Sequence, residues 1–299
     1  MIPEPPLAPE PARRSGLSRS LRTTISALIL IVIVVVGIIG YAAAGLAYAQ
    51  TQVGSADRAL NTVISHQNTL NSTFKDIDSK FTGLGTNSTF DPKQARALVD
   101  QFVASATAAG TTVDQDDTSL VLARAGLSQQ EWLTALARGN LDKEAARIDH
   151  ARKALSRAKI VAADYVLDGQ FLQAFLDTAA ALEMLGAQSA NADLAGAKTT
   201  LATMRTTADK ALQLSTGPGL PSELHALMGD FESLITDFGK LLDAAAAGDD
   251  TAITSAETSV QSDAGKISGY DFTTISTEID AFYKPLVDGF NAEMAKATA

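Results

Sequence analysis

The chain has three histidines, His66, His150 and His225. They are the first residues to weigh for chemistry, because neutral imidazole is the commonest metal ligand and titrates nearest to pH 7. No two of them share metal-ligand spacing, such as the i, i+4 pair of a zinc helix. Each is therefore expected to be an exposed or half-buried structural histidine. The acidic stretch Asp114-Gln115-Asp116-Asp117 invites a calcium reading. It lacks the glycine and the downstream bidentate glutamate of an EF-hand loop, and it falls inside a helical pattern. A solvated helix face is the expectation there. Nucleophile elbows, phosphate-binding loops and dinucleotide fingerprints are absent.

The carboxylates are numerous but dispersed along helical patterns, so no acid/base pair stands out in the sequence. Cysteine is absent, which removes disulfides, thiolate metal sites, a cysteine nucleophile and a lipoprotein anchor. Trp132, the single tryptophan, is expected in a core. Asn71-Ser72-Thr73 and Asn87-Ser88-Thr89 match the glycosylation sequon, which has consequences only in a host with that machinery. No catalytic, cofactor-binding or metal-ligating residue is assigned, and an enzyme is not expected.

The elements that would carry these residues read as helices. Alanine, serine and threonine are abundant, aromatics are few, and clean period-2 alternation is scarce. Ala56, Leu60, Val63, Gln67, Leu70, Phe74, Ile77 and Phe81 alternate steps of four and three, an a/d seam with one polar position. "GLGTNSTFDP" should break that helix, and Pro92 should open the next. The second helix, 92–120, carries Ala95, Leu98, Phe102, Ala106, Ala109, Val113, Asp116 and Leu120 on one stripe. The two stripes predict an antiparallel hairpin buried within one chain, with Phe74 in its core and Gln67 as a partnered polar layer.

Beyond it, Ser128-Gln129-Gln130-Glu131 reads as a capping box opening a short helix, which Gly139 should end. A long helix from Leu141 should follow, with an interruption at Asp168-Gly169. Turns are expected near Asn191 and Asp193, at "STGPGLP" (215–221) and at "AGDD" (247–250), and a kink at Pro285. Segments 133–155 and 242–264 echo each other as a helix end, a Gly-Asn or Gly-Asp turn and an alanine-rich helix, which suggests repeated helical hairpins.

The charge is divided by position. Residues 1–24 carry Arg13, Arg14, Arg19 and Arg22 against Glu4 and Glu10, a net of +2, while residues 50–299 carry a net of −12. An acidic body is a poor match for a phosphate backbone, so nucleic acid is not an expected partner. Between Ile25 and Ala49 lie 25 residues without a charge. About 20 suffice to span a bilayer, and a secretory apolar core is usually about 7–15. Tyr41 and Tyr48 sit near the outer end of the run.

The sequence thus predicts an all-α protein with a single N-terminal transmembrane helix followed by an elongated extracytoplasmic bundle of antiparallel hairpins. Its parts are a disordered proline-rich cytoplasmic tail (1–22), a signal-anchor (23–49) and a helical domain (50–299), with sub-bundles at 50–126 and 127–299. The arginines before the run keep the N-terminus in the cytoplasm and the C-terminal domain outside. The Ala-x-Ala pattern at Ala47-Tyr48-Ala49 supplies the alternative, a protein secreted after cleavage following Ala49.

The expected partners are the lipid bilayer, through the N-terminal helix, and a protein in the membrane or envelope. In plan the chain resembles the sensing half of chemoreceptors and histidine kinases, but no second span or output domain follows in the sequence. Two functions remain open: a membrane-anchored binding, scaffold or envelope-interaction module, or a ligand-sensing domain that signals through a separate membrane partner.

Overall fold

The structure, a computed structural model, describes residues 56–86, 92–128 and 138–299. Among the described residues it is all-α, with no strand: α1 Ala56–Thr86, α2 Pro92–Ser128, α3 Arg138–Ala190, α4 Leu194–Leu214, α5 Ser222–Ala247, α6 Asp250–Ser268 and α7 Phe272–Thr298. The uncharged run 25–49, the proline-rich tail and the segment carrying Trp132 lie outside the described residues, as do the side chains of Phe74, Ile77 and Phe81. Within the described residues no helix is long and apolar enough to cross a membrane.

The bundle is organised around α3. At 53 residues it is about 80 Å long, at the usual 1.5 Å rise per residue. It packs along α2, α4 and α7, and touches α1. Its middle is buried nearly all round: Tyr165, Asp168, Phe171, Leu172, Phe175 and Leu176 all fall in the core. A helix enclosed on every side needs no single apolar stripe, which is why α3 reads weakly as an amphipathic helix. The remaining helices form consecutive hairpins (α1–α2, α4–α5, α5–α6), and α7 returns to lie against α3.

Two apolar clusters result. The larger draws on α2 through α7 and contains Phe102, Phe175, Leu227, Phe231, Ile279 and Tyr283. The smaller joins the first and last helices through α3: Leu60, Val63, Leu120, Leu155, Phe290 and Met294 belong to it.

The hairpin reading holds where side chains are described. Ala56, Leu60, Val63 and Gln67 of α1 are buried, as are Ala95, Phe102, Ala106, Ala109, Val113, Asp116 and Leu120 of α2. The stripe on α2, however, faces α3 more extensively than α1, so α2 is a shared wall and not half of an isolated pair.

Several boundaries differ from the sequence reading. α1 continues through Gly83 and Gly85 to Thr86, and α2 extends to Ser128. α3 opens at Arg138, so Gly139 lies in its first turn, while the short helix expected to end there falls outside the described residues; α3 does not break at Asp168-Gly169. Glycine lowers helix propensity by about 1 kcal/mol, but packing decides here. A side chain at Gly169 would overlap Val103 Cγ2 and press on Phe102, so the glycine lets α2 approach α3 closely. Residues 138–155 are therefore continuous helix, and the helix–turn–helix echo with 242–264 is not present in them. α7 stays helical on both sides of Pro285.

The turns fall where expected, and those before α4 and α6 end on a capping aspartate. Asp193 accepts from Gly196 N at 2.9 Å to open α4, and Asp249 accepts from Ala252 N at 3.0 Å to open α6. Gly248, at φ 67°, closes α5 in the left-handed conformation that glycine adopts without strain. Asp271 opens α7 by accepting from Thr273 N and Thr274 N. The Thr274 hydroxyl's bond to the carboxylate, followed by these two backbone bonds, holds its pKa below the usual range.

Candidate functional site

The residues that sequence reasoning did not join are brought together where α3 meets α7. Asp164, Tyr165 and Asp168 lie one turn apart on α3, and Asp280 and Tyr283 on α7. Asp168 is wholly buried, and the Tyr283 hydroxyl donates to its Oδ2 at 2.6 Å. The two tyrosine rings meet edge to face with centroids 5.0 Å apart, and Phe102 of α2 packs 5.6 Å from Tyr165. The α4–α5 loop closes over this group: Gly219 takes φ 80°, and a methyl on it would lie 2.8 Å from the Tyr283 hydroxyl. That loop is the Gly/Pro-rich "STGPGLP", so its glycine serves both the turn and the close approach.

Burial sets the electrostatics of the cluster. Loss of water pushes Asp168 up to about 8; the Tyr283 hydrogen bond works against this, and Asp164 adds to it. Burial also raises Asp164 and Asp280. Tyr165 and Tyr283 are driven upward by burial first and by the charge of Asp168 second. At neutral pH the centre is thus a protonated carboxyl flanked by neutral phenols. Asp168 Oδ1 and the Tyr165 hydroxyl have no hydrogen-bond partner among the described residues. Such groups cost about 1–3 kcal/mol each.

Beside this cluster lies a small crevice of about 70 Å³, partly open to solvent, between α1, α2, α3 and α7. Tyr165 forms part of its wall, with Gln67 from α1, Arg157 from α3 and a mostly apolar remainder that includes Ala106, Ala109 and Phe290. Gln67 Nε2 is buried without a partner among the described residues. The expected partnered polar layer at Gln67 is therefore not made by its amide nitrogen.

The histidines are not brought together. His66 Nδ1 lies 2.8 Å from Asp116 Oδ1, His150 Nδ1 lies 2.6 Å from Glu293 Oε2, and His225 Nδ1 lies 2.8 Å from the Ser215 hydroxyl. Among the described residues no group of three or more metal-ligating side chains could hold an ion. His150 and Lys296 stabilise the Glu293 carboxylate and lower it to about 2.

Of the acidic stretch on α2, Asp114 and Gln115 are exposed and Asp117 half-exposed, as a solvated face requires, but Asp116 is buried. Asp114 pairs with Lys159 at 2.6 Å and Asp117 with Arg152 at 2.7 Å, both across to α3. Asp116 is buried against His66 of α1, and burial raises its pKa more than the histidine lowers it. The stretch therefore ties α2 to both of its neighbours.

The one sequence signal for the buried cluster was Asp164 and Asp168, four apart inside the apolar run "IVAADYVLDGQFLQAF". Nothing in the sequence links them to Tyr283, 115 residues later. Comparison of the chain with protein-family models, curated proteins and solved structures gives no match.

Proposed function

We propose that the protein is a membrane-anchored helical bundle held outside the cytoplasm, which works through its surface as a binding, scaffold or envelope-interaction module. The observation that carries this reading is the filled interior. The larger core runs through six helices, and the partly open crevice beside it is about 70 Å³, against about 300–1,000 Å³ for ordinary small-molecule pockets. A long rigid bundle with such an interior suits the presentation of a surface more than the enclosure of a substrate. The anchor rests on the 25 uncharged residues from Ile25 to Ala49 and the four arginines before them. Non-enzymatic action and a protein partner in the membrane or envelope belong to the same proposal.

Crosslinking in native membranes followed by affinity purification tests it. A reproducible partner whose capture needs the folded bundle is expected. Capture of nothing beyond lipid would defeat the module reading. Protease added to intact cells or spheroplasts should digest residues 50–299 and spare the tail; a protected C-terminus would overturn the topology. A mature N-terminus at Gln50 would replace the anchor with a cleaved signal.

A further inference from the structure

α6 carries an acid where its pattern calls for an apolar residue. The positions it turns toward α5 step by four, three and four: Ala256, Val260, Asp263 and Ile267. α6 packs mainly on α5, and Asp263 is only 4% exposed. Lys266, one turn on, donates to its Oδ1 at 2.8 Å. Its Oδ2 is buried and has no hydrogen-bond partner among the described residues. A buried carboxylate with an orphaned oxygen costs stability that an apolar residue at the same place would not.

Asp263 lines an open groove of about 510 Å³ on the outer surface between α5 and α6. Small ligands ordinarily need about 300–1,000 Å³, and this space lies outside the filled core. Glu232, Asp237 and Lys240 of α5 and Lys266 of α6 share the wall with the hydroxyls of Ser233 and Thr236. Two more carboxyls stand at the margin. Asp230 accepts from the Tyr270 hydroxyl at 2.7 Å, and Asp209 of α4 hydrogen-bonds with Glu232. Burial first and that bond second raise the Glu232 pKa, and Arg205 and His225 offset part of the rise. Lys240 and Lys266 each reach back one turn, to Asp237 at 2.6 Å and to Asp263 at 2.8 Å. The groove therefore holds more negative than positive charge. Its own lysine shows what it takes. The Lys266 pKa is raised first by the bond to Asp263, then by the charges of Asp263, Asp230 and Asp237. Three carboxylates thus converge on one alkylammonium.

We propose that this groove binds an aliphatic polyamine, one of whose ammonium groups takes the place of Lys266 beside Asp263 while the others lie along Asp237 and Glu232. This goes beyond the surface-module reading and does not depend on it. Other ligand classes fit less well. An excess of carboxylates repels an anion. None of the lining residues is aromatic, so a nucleobase has no ring to stack on. Among the described residues no three metal-ligating side chains are placed to hold one ion. Glu232 and Asp237 are five positions apart, about 7.5 Å along the helix axis. Several charges on one flexible chain can match that spacing, and a single cation cannot. The side chains of Lys240 and Lys266 are more than half exposed, so each ammonium can swing into water when a ligand arrives.

The test is calorimetric titration of full-length protein in phosphatidylcholine nanodiscs with spermidine, with empty nanodiscs as the blank. Saturable binding above the blank is expected, and it should weaken as salt rises. Asp263→Asn should weaken it about tenfold or more, the loss of one charge-assisted contact. Asp237→Asn, at a more exposed pair, should weaken it about two- to fivefold. Lys266→Met should tighten it, because the internal competitor is gone. The double variant Asp142→Asn, Asp288→Asn removes two exposed carboxylates from α3 and α7 and should leave binding unchanged. Butylamine, with a single ammonium, should bind more weakly than spermidine. Each variant is checked for native helicity, and Asp237→Asn with Lys266→Met decides the matter if Asp263→Asn does not fold. Binding no greater than the blank overturns the proposal. So does a loss in the Asp142, Asp288 double variant as large as that in Asp237→Asn, which would mean diffuse attraction to an acidic protein. Lys266→Met binding no tighter than the parent overturns it as well, as does butylamine bound as tightly as spermidine.

Discussion

Asp168 sets how the fold responds to pH. Its carboxyl is held near 8 in the folded protein against 3.8 when free. The folded state therefore keeps a proton that the unfolded chain releases. The sign follows: this group's contribution is fully present below about pH 4, falls as pH rises, and is lost by about pH 8. Between pH 5 and pH 8 we expect a loss on the order of a few kcal/mol from this group. Denaturant melts across that range should show it, and Asp168→Asn, which cannot ionise, should flatten the slope. A slope unchanged by the substitution would assign the pH response to other residues. Glu293 has the opposite sign. Its lowered pKa favours the folded state above its ordinary value of 4.5, and that help disappears as pH falls toward 2. Replacing His150 by Ala should raise the Glu293 titration midpoint, readable by NMR.

At the scale of the helices, glycines separate what was legible in the sequence from what was not. The α1 seam and the α2 stripe were visible because one buried face repeats every 3.5 residues, and burial followed it from Ala56 to Gln67 and from Ala95 to Leu120. Gly139 and Gly169 read as a stop and a break because propensity is a local quantity. The environment of Gly169 is tertiary: it sits under Val103. We expect Gly169→Ala to cost about 1–3 kcal/mol through overpacking of α2 against α3. Gly186, in the same helix, has open space where a side chain would go. Gly186→Ala should be neutral or stabilising by up to about 1 kcal/mol. Equilibrium denaturation of the two variants side by side checks the contrast. The buried Asp168–Tyr283 pair escaped sequence reading for a related reason: no period connects residues on helices that meet only after four turns of chain direction. Only the aspartates inside an apolar run hinted at it. Leu60→Ala should cost about 2–5 kcal/mol with no change in oligomeric state by sedimentation, since the described half of the seam is covered within the chain.

For the described bundle as a whole, one arginine bridges its first and last helices. Arg147, on α3, lies 3.5 Å from Asp57 of α1 and donates through Nε to the Ala297 carbonyl of α7 at 2.9 Å. Arg147→Ala would leave a carboxylate and a carbonyl without this donor. A loss of about 1–3 kcal/mol is expected by denaturant melts. Removal of residues 291–299 should cost more, because Met294 and Ala297 go with it and the smaller core loses part of one wall. That arrangement has a consequence for synthesis. Of the described helices α1 leaves the ribosome first, yet the cluster it joins includes residues made last. Contacts of such sequence separation are slow to form, and domains begin to fold as they are made. The first described helix can pair with α2 as soon as α2 is made, but the part of its cluster that Phe290, Met294 and Ala297 cover stays open until translation has almost ended. A chain stalled before α7 should expose that part to chaperones, and one released in full should bury it.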